Sequence, residues 1–383
     1  MNTVLSPQQK QELLNRGFSR RMFGRIATVI TAGAALPFYN EPALAQLSKV
    51  DDAPSDAVLI NANENPLGPC KEAREAAYSM VAQGGRYRFG ETDKVRTILA
   101  EQEGVKLSYV SIHPGSSGPL HQAVLAFTSP TKPFVTGDPG YEAGERAARF
   151  IGAKVIRVPL MKDKGYAHDV KAMAAASPDA GLIYICNPNN PTGTLTPKSD
   201  IEWLLANKPK GAIVMIDEAY THIAGAPFST GLVAADKDVV VLRTFSKIYG
   251  MAGLRAGAAI ARPDLLNKLS GFSSTMMPIT GMAAASASLQ AKYVVPERRK
   301  IIADVREDVF GFLDKHNFQY VPSVSNCFMV DVKRPPHEVT AGMAREKIYI
   351  GRVWPTWPTH VRVTIGTADE MNRFKTAFLK VMA

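Results

Sequence analysis

Lys247 stands in the stretch "LRTFSKIYGMAGLRAG" (242–257), just beyond the apolar run 239–242, and Arg255 follows eight residues later among small residues. Two upstream runs end in the same manner. "GLIYICNP" (181–188) passes into "NPNNPTGT" (187–194) with Asn190, and "GAIVMIDEA" (211–219) carries Asp217 behind four apolar residues, with Tyr220 three residues on. An amine, a carboxylate, amides and a phenol at successive strand ends are the parts that an aldehyde cofactor needs. A lysine forms a Schiff base with the aldehyde, a carboxylate meets a pyridinium nitrogen, and donors hold a phenolic oxygen. Taken singly, each residue has an ordinary explanation: Asp217 as a helix cap, Tyr220 as packing, Lys247 as a solvated surface group, Asn190 as a turn former. Their conjunction at one sheet edge carries the chemical reading.

"HPGSSGPLHQAVLAF" (113–127) supplies an anion site. Gly115, Ser116, Ser117 and Gly118 open a helical run with Leu120, Val124 and Phe127 on one face. A Gly/Ser turn at a helix start aims backbone N–H groups and the positive end of the helix dipole at an anion. Ser246 and Arg255 complete a phosphate cup, the guanidinium offering a planar fork of donors.

These residues need a sheet to bring them together. The runs 181–188, 211–219 and "DVVVLRTFS" (238–246) are near-continuously apolar, as parallel strands covered on both faces are. Between the first two, "TPKSDIEWLLANK" predicts a helix capped by Thr196, with Pro197 in its first turn and Ile201, Leu204 and Leu205 on one face. Strand–helix–strand crossovers of this length predict an α/β sheet with ligands beyond its carboxyl edge. From about Pro296 the pattern turns to α+β: a long charged helix, then "CFMVDV", "KIYIGRV", "VRVTIG" and a last helix from Ala368. The expected division is a leader (1–45), an N-terminal arm (46–72), a large domain (73–290) and a smaller C-terminal domain (291–383).

The chain has 383 residues, 46% of them hydrophobic, enough for a substantial core. Its formal charge of +10 is spread among acidic residues without a Lys/Arg block, which favours small anionic ligands over nucleic acid. Cys70, Cys186 and Cys327 lack metal-ligand spacing and are too few for a disulfide framework, so neither a metal site nor a disulfide scaffold is expected. Nor does a G-x-G-x-x-G follow any expected strand, which weakens a nucleotide-binding reading.

The first 45 residues read as an address. Arg20–Arg21 precede Phe23 and Arg25, the apolar run 26–36 is too short to span a bilayer, and Ala43 and Ala45 give the A-x-A pattern of a cleavage site. This resembles a twin-arginine signal, although Gly24 stands where a hydrophobic residue is usual. It implies the export machinery as a partner and a periplasmic location, with a cytoplasmic one as the alternative. The competing account is an amphipathic N-terminal helix packed on the domain.

"NPNNPTGT", "IDEAY" and "TFSKIYGMAGLRAG", in this order and spacing, resemble the aspartate aminotransferase fold family of pyridoxal-phosphate enzymes. "NANENPLGP" (61–69) narrows the resemblance to the histidinol-phosphate aminotransferase branch, from about Leu59 onward. The resemblance implies a three-layer fold with a mixed, mostly parallel large-domain sheet, pyridoxal 5'-phosphate on Lys247, Asp217 at its ring nitrogen and Arg255 at its phosphate. It further implies that Tyr141 of "GDPGYEAG" stacks on the ring and that Asn190 and Tyr220 hold the phenolic oxygen. Arg362 of "HVRVTIGT" would clamp the substrate's acidic group, with Arg352 and Asn326 lining the substrate pocket. Tyr87 of "GRYRFG" would reach the cofactor of a partner subunit in a homodimer, although Arg88 replaces the family's usual proline. The expected reaction is transamination between an amino acid or amino-phosphate donor and a 2-oxo acid such as 2-oxoglutarate. Three alternatives remain at this stage. An aromatic amino acid aminotransferase could use Trp354 and Trp357 as a pocket, a phosphothreonine-decarboxylase-like lyase shares the cofactor motifs, and a non-catalytic exported protein could keep the fold for binding.

Overall fold

The computed structural model describes residues 4–32, 36–39, 41, 44, 53–273 and 276–383. Its centre is a seven-stranded sheet in the order β2 (Val110–His113), β8 (Gly257–Ala261), β7 (Val239–Thr244), β6 (Ile213–Asp217), β5 (Leu182–Cys186), β3 (Phe134–Asp138), β4 (Val155–Pro159). Strands β3 to β7 pair in parallel, whereas β8 runs antiparallel to both β7 and β2. Every residue of β5, β6, β7 and β8 is buried, so both faces of this sheet are covered. That is the mixed, mostly parallel α/β architecture expected.

Local predictions held to within a few residues, with one correction. The helix after β5 begins at Lys198, and Pro197 rather than Thr196 occupies its cap position. The Thr196 hydroxyl instead accepts from the backbone N–H of His168 at 3.0 Å, tying two loops together. Ile201 and Leu204 face the core as predicted.

Beyond the sheet, the 22-residue helix Val294–Lys315 leads to a three-stranded antiparallel sheet of β9 (Gln319–Tyr320), β10 (Cys327–Asp331) and β12 (His360–Thr364), and Ala368–Met382 is the last helix. A separate parallel pair joins β1 (Val58–Ile60) to β11 (Ile348–Ile350), stitching the N-terminal arm to the C-terminal part.

The described N-terminal residues pack onto the fold. Two helices, α1 (Pro7–Asn15) and α2 (Met22–Ala32), bury Leu13, Ile26 and Val29. Ser6 and Gln9 close α1 with a reciprocal capping box, and Arg16 Nη2 donates to the carbonyl of Thr128 at 2.8 Å. Arg20 and Arg21 stay exposed before α2. The cleavage pattern at Ala43 and Ala45 lies outside the described residues. Among the described residues, no helix is long and apolar enough to cross a membrane.

Candidate active site

Parallel strands deliver their carboxyl ends to one edge, and the singular direction of β8 completes that edge. Because β8 runs the opposite way, its start lies there, and Arg255 sits two residues before Gly257. Ser246 and Lys247 come off β7, Asp217 ends β6, Asn190 follows β5, Tyr141 follows β3, and the Gly115–Ser117 turn follows β2. A cavity lies among them. Lys247, Asp217, Tyr220, Tyr141, Ser116 and Arg255 all line it.

Lys247 is buried, and its Nζ donates to the carbonyls of Asn63 at 2.8 Å and Ala62 at 3.3 Å. Burial lowers its pKa; Glu41 opposes the shift and Arg362 reinforces it. The amine is thus held in place and biased toward its neutral, nucleophilic form. Asp217 accepts from the Tyr184 hydroxyl at 2.9 Å and from the backbone N–H of Ala219 at 3.2 Å. Burial nevertheless raises its carboxyl to about 6, those two hydrogen bonds and Lys247 only partly restraining it. A carboxylate so placed gains from a cationic N–H partner.

Tyr220 OH accepts from Asn63 Nδ2 at 3.0 Å and Asn190 Nδ2 at 3.4 Å. Both amides have their orientation set elsewhere: Asn63 Oδ1 accepts from Thr364 Oγ1, and Asn190 Oδ1 accepts from Arg362 Nη1 at 2.9 Å. With two donors already on its oxygen, Tyr220 has its own proton to give to a ligand oxygen in the cavity.

At the other end, Gly115 adopts φ +93°, and a Cβ there would overlap the Arg255 guanidinium. Arg255 donates to the carbonyls of Ala252 at 2.9 Å and Pro114 at 3.1 Å, which fixes its plane over the turn. Ser116, Ser117 and Ser246 add hydroxyls to the same lining, at the start of the 11-residue helix Ser117–Phe127. This donor set fits a multi-oxygen anion, and with the Asp217 carboxylate and the Tyr141 ring it fits pyridoxal phosphate.

Arg362 and Arg352, the pair expected to meet the substrate's acidic group, lie outside the cavity lining. Arg362 is wholly buried and Arg352 nearly so, both close to the face of Trp354, at 5.7 and 5.1 Å. Arg352 Nη1 donates to Glu142 Oε2 at 3.0 Å, and both arginines bond Glu41 of the N-terminal segment. Asn326 does not line the cavity; its Nδ2 donates to the carbonyls of Asn63 and Glu64 and so supports the segment that holds Lys247. Tyr87 lies outside the cavity too, 69% exposed and stacked on Phe89 at 5.6 Å. Trp354 packs with Val321 and Met329, and Trp357 packs edge-on against Tyr166, so neither lines the cofactor cavity. Sequence reasoning missed Glu41, Tyr184 and Asn63. Asn63 lies in a motif already singled out, whereas Tyr184 reads as one more core residue of an apolar strand.

Residues 55–378 match the family model for aminotransferases of class I and II. A histidinol-phosphate aminotransferase of Symbiobacterium thermophilum is 34% identical over 324 residues, covering 83% of this chain and 89% of that protein. An aromatic amino acid aminotransferase of Cutibacterium acnes is 33% identical over the same length, covering 83% and 90%. Among solved structures, the Sinorhizobium meliloti histidinol-phosphate aminotransferase in complex with pyridoxal-5'-phosphate superposes with a TM-score of 0.79 at 25% identity, covering 89% of this chain and 94% of that one. Motif order, cavity chemistry and these likenesses agree: the chain belongs to the class I and II aminotransferases and is a pyridoxal-phosphate-dependent transaminase.

Proposed function

We propose that this transaminase is histidinol-phosphate aminotransferase-like, moving an amino group from an amino acid or amino-phosphate donor to a 2-oxo acid such as 2-oxoglutarate. The observation that carries the reading is the buried pair Arg352 and Arg362, with Arg362 linked through Asn190 to the Tyr220 hydroxyl of the Lys247 cavity. Two guanidinium forks behind a reactive lysine suit a donor with an acidic group, carboxylate or phosphate.

Bound here, pyridoxal phosphate supplies an aldehyde for attachment and an electron-withdrawing ring that loosens a substrate Cα–H bond. Lys247 Nζ would hold the cofactor's aldehyde end, and the same amine would take and give back the substrate proton; its lowered pKa suits that double duty. Asp217 holds the proton on the ring nitrogen, and Tyr184 keeps the carboxylate oriented. Tyr220 and Asn190 hold the phenolic oxygen, Tyr141 supports the ring, and Gly115, Ser116, Ser117, Ser246 and Arg255 hold the phosphate. Arg362 fixes the substrate acid, Arg352 lines its pocket, and Asn326 acts through the Asn63 segment.

The likeness to the C. acnes enzyme favours a second donor class, aromatic amino acids, with Trp354 flooring the arginine pair. A panel of histidinol phosphate, aromatic and dicarboxylic donors against 2-oxoglutarate decides between them. Transfer only from aromatic donors would overturn the first reading.

Two assignments concern the whole molecule. A homodimer is supported by the exposed apolar side chains Tyr78, Val81, Tyr87 and Phe89, with Tyr87 serving the partner's cofactor. Sedimentation at micromolar protein tests it. Export through a twin-arginine leader to the periplasm is supported by the exposed Arg20–Arg21 pair. Cell fractionation of wild type and an R20K/R21K variant tests that assignment, and retention of both in the cytoplasm would refute it.

A further inference from the structure

Glu41 lies between the two arginines assigned to the substrate. Arg352 Nη2 donates to both of its oxygens at 3.0 Å, and Arg362 Nη2 donates to Oε1 at 2.6 Å. The rest of the Arg362 terminal fork is spent on Asn190 Oδ1 and the carbonyl of Asn61. Both N–H bonds of Arg362 Nη2 are committed while Glu41 is in place, so an incoming acid can engage that nitrogen only by displacing the carboxylate.

The carboxylate is anchored from both sides. Tyr39 stacks on His121 at 4.3 Å, Phe38 packs at 5.7 Å from the ring of Phe150, and Leu44 is fully buried. Charge balance explains why the position needs an acid. Glu142 neutralises one of the two buried guanidiniums, and a second carboxylate must answer the other. Glu41 answers it, and a substrate carboxylate would answer it equally, so exchanging one for the other leaves the buried charge unchanged. The hold is incomplete, since Nε of Arg352 and of Arg362 are buried without a partner among the described residues.

We propose that Glu41 is a built-in competitor for the acid-binding subsite, so that the leader holds the arginine pair until a substrate acid displaces it or the leader is removed. The inference rests on the reading of Arg362 as the acid clamp. Cleavage after Ala45 would take Glu41 with it, converting a self-occupied precursor into an open enzyme. Leader and acid then exclude each other by the same factor, whichever binds first.

The test uses full-length holoenzyme, wild type and Glu41→Gln, titrated with 2-oxoglutarate and read by tryptophan fluorescence, since Trp354 lies against both guanidiniums. Glu41→Gln should bind at least tenfold more tightly than wild type. In wild type, saturating 2-oxoglutarate should speed amide hydrogen exchange in the peptide carrying Phe38, Tyr39 and Glu41. Unchanged affinity overturns the proposal, as does unaltered exchange. Should Glu41→Gln fail to fold, the exchange measurement on wild type decides. Adding Arg362→Met to Glu41→Gln separates the two readings. Lost 2-oxoglutarate binding upholds the clamp whatever Glu41 does, whereas full binding removes the clamp and the proposal together.

Discussion

The Tyr184 hydroxyl donates to Asp217 Oδ2 at 2.9 Å across neighbouring strands, on the same face of the sheet because Cys186, two residues on, pairs with Asp217. The bond restrains a carboxyl that burial still lifts to about 6, against 3.8 in the unfolded chain. A raised folded pKa means a stabilising contribution that is full below about 3.8 and lost as pH climbs through 6. Cofactor-free Asp217→Asn should therefore gain stability relative to wild type by about 2 kcal/mol between pH 4 and pH 7.5, most of what 1.36 kcal/mol per pKa unit implies for the whole shift. Urea denaturation of both proteins at the two pH values measures it, and a constant difference would contradict the environment described.

Turnover should follow the two charged ends of the cavity. Lys247→Ala should stay folded, lose the visible absorbance of lysine-bound cofactor, and fall by orders of magnitude in kcat. Asp217→Asn should fall by about 10²–10⁴, the range of positioned proton and charge effects. Tyr184→Phe, deprived of one bond to a charged group, should lose about tenfold to a hundredfold. Spectra and steady-state kinetics of the three variants rank these effects.

Gly115→Ala probes the phosphate cup. The new methyl would overlap Arg255 in a backbone conformation of φ +93° that alanine rarely adopts, at a cost of about 1–3 kcal/mol before any side-chain shift. The dissociation constant for pyridoxal phosphate should rise at least tenfold. Gly311→Ala, with no atom within 4 Å of the added carbon, should leave it unchanged.

Arg243 lies beneath the site on β7, between two buried carboxylates, Glu103 and Glu218. Arg243→Met should destabilise the protein by about 3–5 kcal/mol, since both acids lose their cation inside the protein. Glu103→Gln added to that variant should recover part of the loss, read as a shift in the urea midpoint.

Much of this architecture was legible in the residues. Three apolar runs became β5, β6 and β7 with ends within two residues of expectation, because long β-branched stretches have few other ways to be buried. Their polar termini pointed to Asn190, Asp217 and Lys247 for the same reason. Strand β8 gave no such signal: Gly257, Ala258 and Ala259 are too small to show a pattern, and only pairing reveals the direction that delivers Arg255. Tyr184 was invisible because its role depends on register across strands. Glu41 was invisible for another reason: a lone acid in a segment that reads as an address carries no mark of the arginines more than 300 residues away that it meets in space.

Val58 pairs with Ile348 and Ile60 with Ile350, so a three-residue strand waits for a partner 290 residues further along the chain. Asn63, just past that strand, offers Lys247 its carbonyl and is itself held by Asn326 and Thr364. A ribosome that has emitted the first 300 residues has made Lys247 and its cofactor neighbours but nothing to lock that carbonyl in place. Synthesis must therefore pass Thr364 before that carbonyl can be fixed beside Lys247, and chains stopped short of it lack the lock.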